Sequence, residues 1–323
     1  MTPGDGARDG VRDSARDGTR DGARRLGLVA AGRTDVGRIR SHNEDAYLVA
    51  AIGEGATVTK GVLATLRTDG APALMVVADG VGGAASGEIA SLMATDTILI
   101  ELRRRYERGH LRSLNAVEDA MRDAVAAANH VIYTYASGHP HHRGMATTAT
   151  AAVVFDSTVV IAQVGDSRAY LIQEGRARQI TKDQSLVQRL IDAGELTEDQ
   201  AALSDRRNII LQALGSEPTV HPDFYRVTPK VGDILILCSD GLSNHVTGDT
   251  MAQIASAERD VAVVSDTLVE CANARGGHDN ISVVTARFSS PHATPVVPAR
   301  AIPAATPESI SPGLVARVRR WLR

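Results

Sequence analysis

The sequence predicts an α+β fold in which antiparallel sheets carry helices on their outer faces. Three observations predict it. Apolar runs of strand length recur at 74–78, 148–155, 159–164, 169–172, 234–237 and 281–288. Short strands joined by turns outnumber strand–helix–strand units, which argues against a doubly wound parallel sheet. Helical patterns with apolar residues at three- and four-residue intervals cover about 87–105, 113–136, 248–256 and 261–274. With 323 residues and 43% hydrophobic content the chain can build a sizeable core.

Residues 1–26 repeat a four-residue unit (Ala-Arg-Asp-Gly, Val-Arg-Asp-Ser, Ala-Arg-Asp-Gly, Thr-Arg-Asp-Gly) with almost nothing apolar to bury, so a disordered, charge-balanced tail is expected. Residues 27–288 have the texture of one globular domain. Residues 289–312 hold six of the twelve prolines and read as an extended linker. The last segment, 313–323, puts Leu314, Val315, Val318, Trp321 and Leu322 on one helical arc and its four arginines on the other. It is a short basic amphipathic segment, a candidate for weak docking on an anionic membrane or a partner.

A net charge of −3 gives no basic excess for nucleic acid. Cys238 and Cys271 lie outside any metal-type spacing and read as small hydrophobes in a reducing compartment. The chain shows no apolar run of spanning length and no signal-peptide pattern, and the expectation is a cytoplasmic protein.

Acids stand at the polar ends of the apolar runs. Asp79 follows Leu-Met-Val-Val-Ala and precedes Gly80, Gly82 and Gly83. Asp240 repeats the device after Ile-Leu-Ile-Leu-Cys-Ser. Asp279-Asn280 precedes the 281–288 run, and Glu44-Asp45 precedes 46–51. Singly, each is an ordinary turn aspartate, since Asp-Gly is a common turn pair. Together they suggest a shared cleft, where carboxylates would repel one another unless cations neutralise them. All-oxygen ligation suits Mn2+ or Mg2+, not zinc. Two such ions can activate water and hold a phosphoryl oxygen. Arg40, four residues before Glu44, is the candidate clamp for an anionic substrate.

These blocks resemble the metal-dependent Ser/Thr protein phosphatases of the PPM, or type 2C, family in their bacterial form. The resemblance covers about 27–288 and rests on seven blocks in family order. They are Arg40-x-x-Asn-Glu44-Asp45, Asp79-Gly80-x-Gly-Gly with Gly87-Glu88-x-Ala-Ser91, Gly144-Met-Ala-Thr147-Thr148, Gly165-Asp166-Ser167-Arg168, Thr181-Lys-Asp183, Ser239-Asp240-Gly241-Leu242 and Asp279-Asn280-Ile-Ser. It implies a four-layer α-β-β-α sandwich with two central, mostly antiparallel sheets and a metal site at one end. It implies hydrolysis of phosphoserine and phosphothreonine in proteins, with no covalent intermediate. Asp79 would bridge two ions, with Glu44 and the Gly80 carbonyl on one and Asp240 and Asp279 on the other. Asp45 would stand behind them or act through water, Asp166 would hold a third, weaker ion with Asp240, Arg40 would orient the phosphate, and Asn280 would position the neighbouring acid. Thr147 and Thr148 are read as serving the strand. Residues 184–215 resemble the family's flap.

Val81 occupies the position where the best-known eukaryotic members carry a histidine proposed as leaving-group acid, so the proton must come from elsewhere. His278 reads as a loop residue. The implied partners are phosphorylated proteins and the kinase that modifies them, with the phosphatase a monomer. One alternative is a catalytically silent phosphoprotein-binding scaffold, but such proteins usually lack metal acids that this chain keeps. Another, a nuclease or phosphodiesterase, needs a basic groove that the composition does not supply.

Overall fold

The run Ala73–Ala78 (β5) has no polar face, so a strand there needs cover on both sides. The computed structural model, which describes residues 25–53, 58–59, 63–68, 72–82 and 86–290, supplies it. Ala73, Met75 and Val77 enter one apolar layer and Leu74, Val76 and Ala78 another, the alternation of a pleated strand. Ile234–Cys238 (β13) behaves alike: Leu235 and Leu237 join the layer of Met75, while Ile234, Ile236 and Cys238 face the opposite way.

Two six-stranded sheets result. One has the order β12 (Asp223–Val227), β9 (Thr158–Val164), β8 (Ala149–Phe155), β5, β2 (Ala46–Ala51) and β3 (Val58–Thr59). The other runs β11 (Arg176–Gln179), β10 (Arg168–Gln173), β13, β14 (Ile281–Ser289), β1 (Gly27–Asp35) and β4 (Leu63–Thr68). Every described pairing in them is antiparallel. The sheets pack face to face over Leu28, Val49, Met75, Ile161, Leu237 and Phe288. Helices α1 (Ser86–Glu107) and α2 (Leu114–Gly138) cover the outer face of the first sheet through Met93, Ile98, Leu102, Met121 and Ile132. Helices α6 (Gly248–Ala257) and α7 (Val261–Ala274) cover the second through Met251, Val264 and Leu268. The architecture is therefore the expected α-β-β-α sandwich. Two short helices, α3 (Leu186–Asp192) and α4 (Glu198–Ala202), occupy the 184–215 excursion.

Antiparallel pairing gathers the acid-bearing ends. Ala46 pairs with Ala78, so the residues before β2 and after β5 are neighbours. Cys238 pairs with Val283, which brings the end of β13 beside the start of β14. The turn between β9 and β10 carries Asp166, and a two-stranded ribbon of β6 (Gly80–Val81) and β7 (Ala146–Thr147) extends β5 beyond Asp79. Asp240 opens the short helix α5 (Asp240–Ser243).

The tail expected over 1–26, the linker over 289–312 and the segment 313–323 lie outside the described residues, save for 25–26 and 289–290. No helix among the described residues is long and apolar enough to cross a membrane. Cys238 is buried as expected, whereas Cys271 on α7 is only half-buried.

Candidate metal centre

Gly80 sits where the chain has no room for a side chain: a Cβ there would lie 2.3 Å from the Gly87 carbonyl oxygen and 2.5 Å from that of Glu44. Gly87 likewise leaves space for the Glu44 carboxylate, whose Oε2 would be 2.3 Å from a Cβ. The Asp79-Gly80 link, the Glu44 segment and the start of α1 thus pack backbone to backbone. Ser91 on α1 adds a hydrogen bond from its hydroxyl to the Glu44 carbonyl at 2.7 Å.

Asp79 is held by its main chain. Its N–H donates to Thr148 Oγ1 at 3.0 Å, and its carbonyl accepts from Thr147 Oγ1 and from the Thr148 N–H, both at 2.8 Å. Thr148 Oγ1 also meets Ser167 Oγ at 2.7 Å, so the strand end bearing Asp79 and the turn bearing Asp166 are joined by two buried hydroxyls. The expectation that these threonines serve the strand is too narrow, because their hydroxyls also fix the backbone of an acid. Asn280 touches its neighbouring acid and more besides. Its own N–H donates to Asp279 Oδ1 at 2.8 Å, but its side chain secures the Arg40 loop, accepting from the Glu44 N–H at 2.7 Å and donating to the Val36 and His42 carbonyls at 3.0 and 2.8 Å.

The residues singled out in the sequence come together. A cleft of about 410 Å³ is lined by Arg40, Glu44, Asp79, Gly80, Asp166, Asp240, Asp279 and Asn280. Asp45 lies behind it, buried, with Oδ2 accepting from Ser239 Oγ at 2.7 Å. Arg40 Nη2 donates to Asp279 Oδ2 at 2.8 Å, so the cation expected for an anionic substrate stands at the edge of the acid cluster. Val81 is exposed beside the cleft, and His42 lines it with Nδ1 2.8 Å from Ser41 Oγ. His278 is a loop residue as expected, stacked on His245.

Crowding sets the electrostatics. Burial, reinforced by Asp45, Asp240, Asp166 and Asp279, pushes the Asp79 carboxyl well above its ordinary range. Burial raises Asp45 to about 7 against the opposing hydrogen bonds of Ser239 and Ser282. Burial and then Asp240 raise Asp166 to about 7. Asp240 is raised by burial and by Asp279, and Glu44 by burial against the pull of Arg40. Such a cluster of unneutralised acids is costly, and divalent cations would relieve it.

The donors suit hard cations. Asp45 Oδ1 is buried without a hydrogen-bond partner, an orphaned carboxylate oxygen of the kind that an ion or its water satisfies. Carboxylates and the Gly80 carbonyl provide oxygen alone. Among the described residues no three Asp, Glu, His or Cys side chains converge to encircle one ion.

A sandwich of this type, with an acid-lined and arginine-bordered cleft at one end, defines a class of metal-dependent phosphatases. The comparisons agree. The protein phosphatase 2C family profile matches residues 60–276. The serine/threonine phosphatase stp of Listeria monocytogenes is 38% identical over 252 residues, which span 78% of this chain and 92% of that protein. Protein phosphatase PhpP of Streptococcus pneumoniae is 34% identical over 250 residues, 77% of this chain and 93% of its own. The solved S. agalactiae serine/threonine phosphatase superposes with a TM-score of 0.71 at 30% identity, covering 80% of this chain and 99% of that one. The catalytic domain of the serine/threonine protein phosphatase PstP, solved with two manganese ions, gives 0.65 at 31% identity, covering 82% of this chain and 99% of that one. The chain belongs to the protein phosphatase 2C family.

Proposed function

We propose that this protein hydrolyses phosphoserine and phosphothreonine in proteins by a metal-dependent mechanism, without a covalent intermediate. The observation that carries this is the convergence of five carboxylates, one glycine carbonyl and one arginine on a single cleft. Relatives named serine/threonine phosphatases over most of the chain support the substrate class.

In this reading Asp79, Glu44, the Gly80 carbonyl, Asp240 and Asp279 would hold two Mn2+ or Mg2+ ions. Asp166 and Asp240 would hold a third, weaker ion, and Asp45 would support the site from behind. Divalent cations bound there supply Lewis acidity, acidifying water and offsetting charge on the phosphoryl oxygens. Arg40 keeps further N–H donors beside its bond to Asp279 and presents a planar fork to the phosphate. Asn280 fixes the height of the Arg40 loop. The excursion over 184–215 borders the same cleft through Asn208 and Ile210, as a flap would. Neither cysteine lines the cleft, and burial pushes the Cys238 thiol up to about 12, out of the nucleophilic range. The physiological counterpart is a Ser/Thr kinase that modifies the same proteins.

The test is hydrolysis of a phosphothreonine peptide with manganese, magnesium or calcium supplied separately and with excess chelator. Turnover with manganese or magnesium that disappears in chelator and in Asp240→Asn is expected. Full activity in chelator, or in that variant, would end the proposal.

A further inference from the structure

A second cavity, of about 660 Å³, opens beside the metal cleft and shares Asp166, Asn208, Asp240 and Asp279 with it. A polypeptide whose phosphorylated residue enters the cleft must lay neighbouring residues against the surrounding surface, and this cavity is one place to receive them. Its character is set by charges that have no counterpart of their own.

Several described arginines stand on acids: Arg33 on Asp266, Arg105 on Asp123, Arg122 and Arg226 on Glu118. Arg168, in this cavity, is bidentate to Asp183, with Nη2 2.7 Å from Oδ2 and Nε 2.9 Å from Oδ1, so that pair cancels. Asp166, Asp240 and Asp279 belong to the candidate metal cleft. Arg207, exposed in the same wall, has no acidic partner among the described residues. Beside it stand His245 and His278, their rings 5.1 Å apart and His278 Nδ1 3.3 Å from His245 Nε2. Behind them Arg275, also without an acidic partner among the described residues, donates through Nη1 to the His245 carbonyl at 2.7 Å. The His245 pKa lies below its ordinary range mainly through burial, with His278, Arg207 and Arg275 adding to the effect. Glu198 is the one acid of this wall left outside the metal cleft and the Arg168 pair, against two guanidinium charges and two imidazoles.

We propose that Arg207, His245 and His278, with Arg275 behind them, form an anion subsite beside the scissile phosphate that takes an acidic group on a residue flanking the phosphorylated one. This rests on the phosphatase reading above. The ligand is an oxyanion attached to the substrate chain, either a carboxylate or a second phosphate. Guanidinium and imidazole N–H groups suit both.

The test compares kcat/KM on four phosphothreonine peptides that differ only in flanking residues: alanine throughout, aspartate before, aspartate after, and a second phosphothreonine. Wild-type protein is expected to favour at least one acidic peptide over the alanine peptide by about 1.5- to fivefold, the range of partly exposed charge pairs, and the advantage should shrink with added salt. A preference confined to the doubly phosphorylated peptide identifies phosphate as the source. Preference for the aspartate peptides identifies carboxylate. Arg207→Gln should bring the ratio toward one, Arg207→Glu should invert it, and Arg207→Lys should retain most of it. Arg275→Gln gives a second measure, since it removes charge behind the wall while its amide can still donate to the His245 carbonyl. Equal cleavage of all four peptides by wild type, or a preference unchanged in both Arg207→Gln and Arg275→Gln, overturns the subsite and leaves the phosphatase reading intact. Failure to cleave any of them overturns the phosphatase reading instead.

Discussion

The acid cluster should make the metal-free protein less stable as pH rises, the reverse of ordinary acid denaturation. Asp45 carries the clearest case, being buried and raised from 3.8 to about 7. Below about pH 4 it is protonated whether the chain is folded or not. Between pH 4 and 7 the unfolded chain releases the proton while the folded one keeps it, so folding loses free energy as pH rises, and the loss is complete above pH 7. A shift from 3.8 to about 7 corresponds to about 4 kcal/mol. About 2.6 kcal/mol of this falls between pH 5 and pH 8, so at about 2–4 °C per kcal/mol for a chain of this size Tm in chelator should fall by about 5–10 °C over that range. Asp166, also raised to about 7, acts in the same sense. Asp192 and Glu258, held below their ordinary values by hydrogen bonds, act in the opposite sense, but only below that window. Calorimetry in chelator at pH 5, 6, 7 and 8 measures the slope. Manganese at a hundredfold excess over its Kd should restore about 2.7 kcal/mol, and more at pH 8 than at pH 5, where protons compete. Asp45→Asn removes the titration while keeping an oxygen for Ser239, so in chelator at pH 8 it should be more stable than wild type. A metal-free Tm that is flat or rises from pH 5 to 8, or an Asp45→Asn protein less stable than wild type at pH 8, would refute the reasoning.

Three further outcomes are expected. Asp79→Asn should abolish phosphopeptide turnover yet leave Tm in chelator unchanged or higher, since it removes a repelling charge; circular dichroism and a peptide assay decide it. Arg40→Ala should cut kcat/KM by on the order of 10²–10³-fold while manganese affinity, measured by electron paramagnetic resonance titration, changes little. Thr148→Val should weaken manganese binding by about 10–100-fold, as lost supporting contacts to metal ligands usually do, because it leaves the Asp79 N–H without its acceptor. Thr148→Ser, which keeps the hydroxyl, should bind manganese nearly as wild type, and equal losses in both would assign the effect to packing.

The sequence disclosed those elements whose burial is written in their side chains. The run at 74–78 is apolar on both faces because both faces are covered. The strand Gly27–Asp35 is harder to see, being small-residue rich. Its Gly32 exists so that the Tyr47 ring can lie on the backbone, with Tyr47 Oη donating to the Gly32 carbonyl at 2.9 Å. Arg176–Gln179 is a sheet edge with largely polar, exposed positions, and Asp223–Val227, an edge of the other sheet, is five residues long with Phe224 and Tyr225 adjacent, so neither shows a clear hydrophobic period. The acids could be read because each stands next to a strand in a turn-forming sequence. Their supports could not. Ser239 reaches Asp45 across 194 positions of sequence, and Asn280 reaches Glu44 across 236. A serine or an asparagine in a turn gives no local sign of a partner that distant.

Those distant supports follow from the electrostatics. If the charge on Asp45 alone costs about 4 kcal/mol near neutrality, that is a large share of the 5–15 kcal/mol that holds a typical domain together. Left to themselves the carboxylates would relax apart, and the cleft would lose the geometry that makes it useful. The hydrogen bonds of Thr147 and Thr148 to the Asp79 main chain, and of Asn280 to the Arg40 loop, act on backbone and not on the carboxylates. They restrain where each acid starts from while leaving its oxygens for cations. Ser239 acts differently, occupying one Asp45 oxygen and leaving the other without a partner, and Asp279 and Asp240 likewise accept from the Asn280 N–H, Arg40 and Asn244. The acids converge because strand ends and buried hydroxyls carry their backbones, and the repulsion stored there is what would make cation binding favourable.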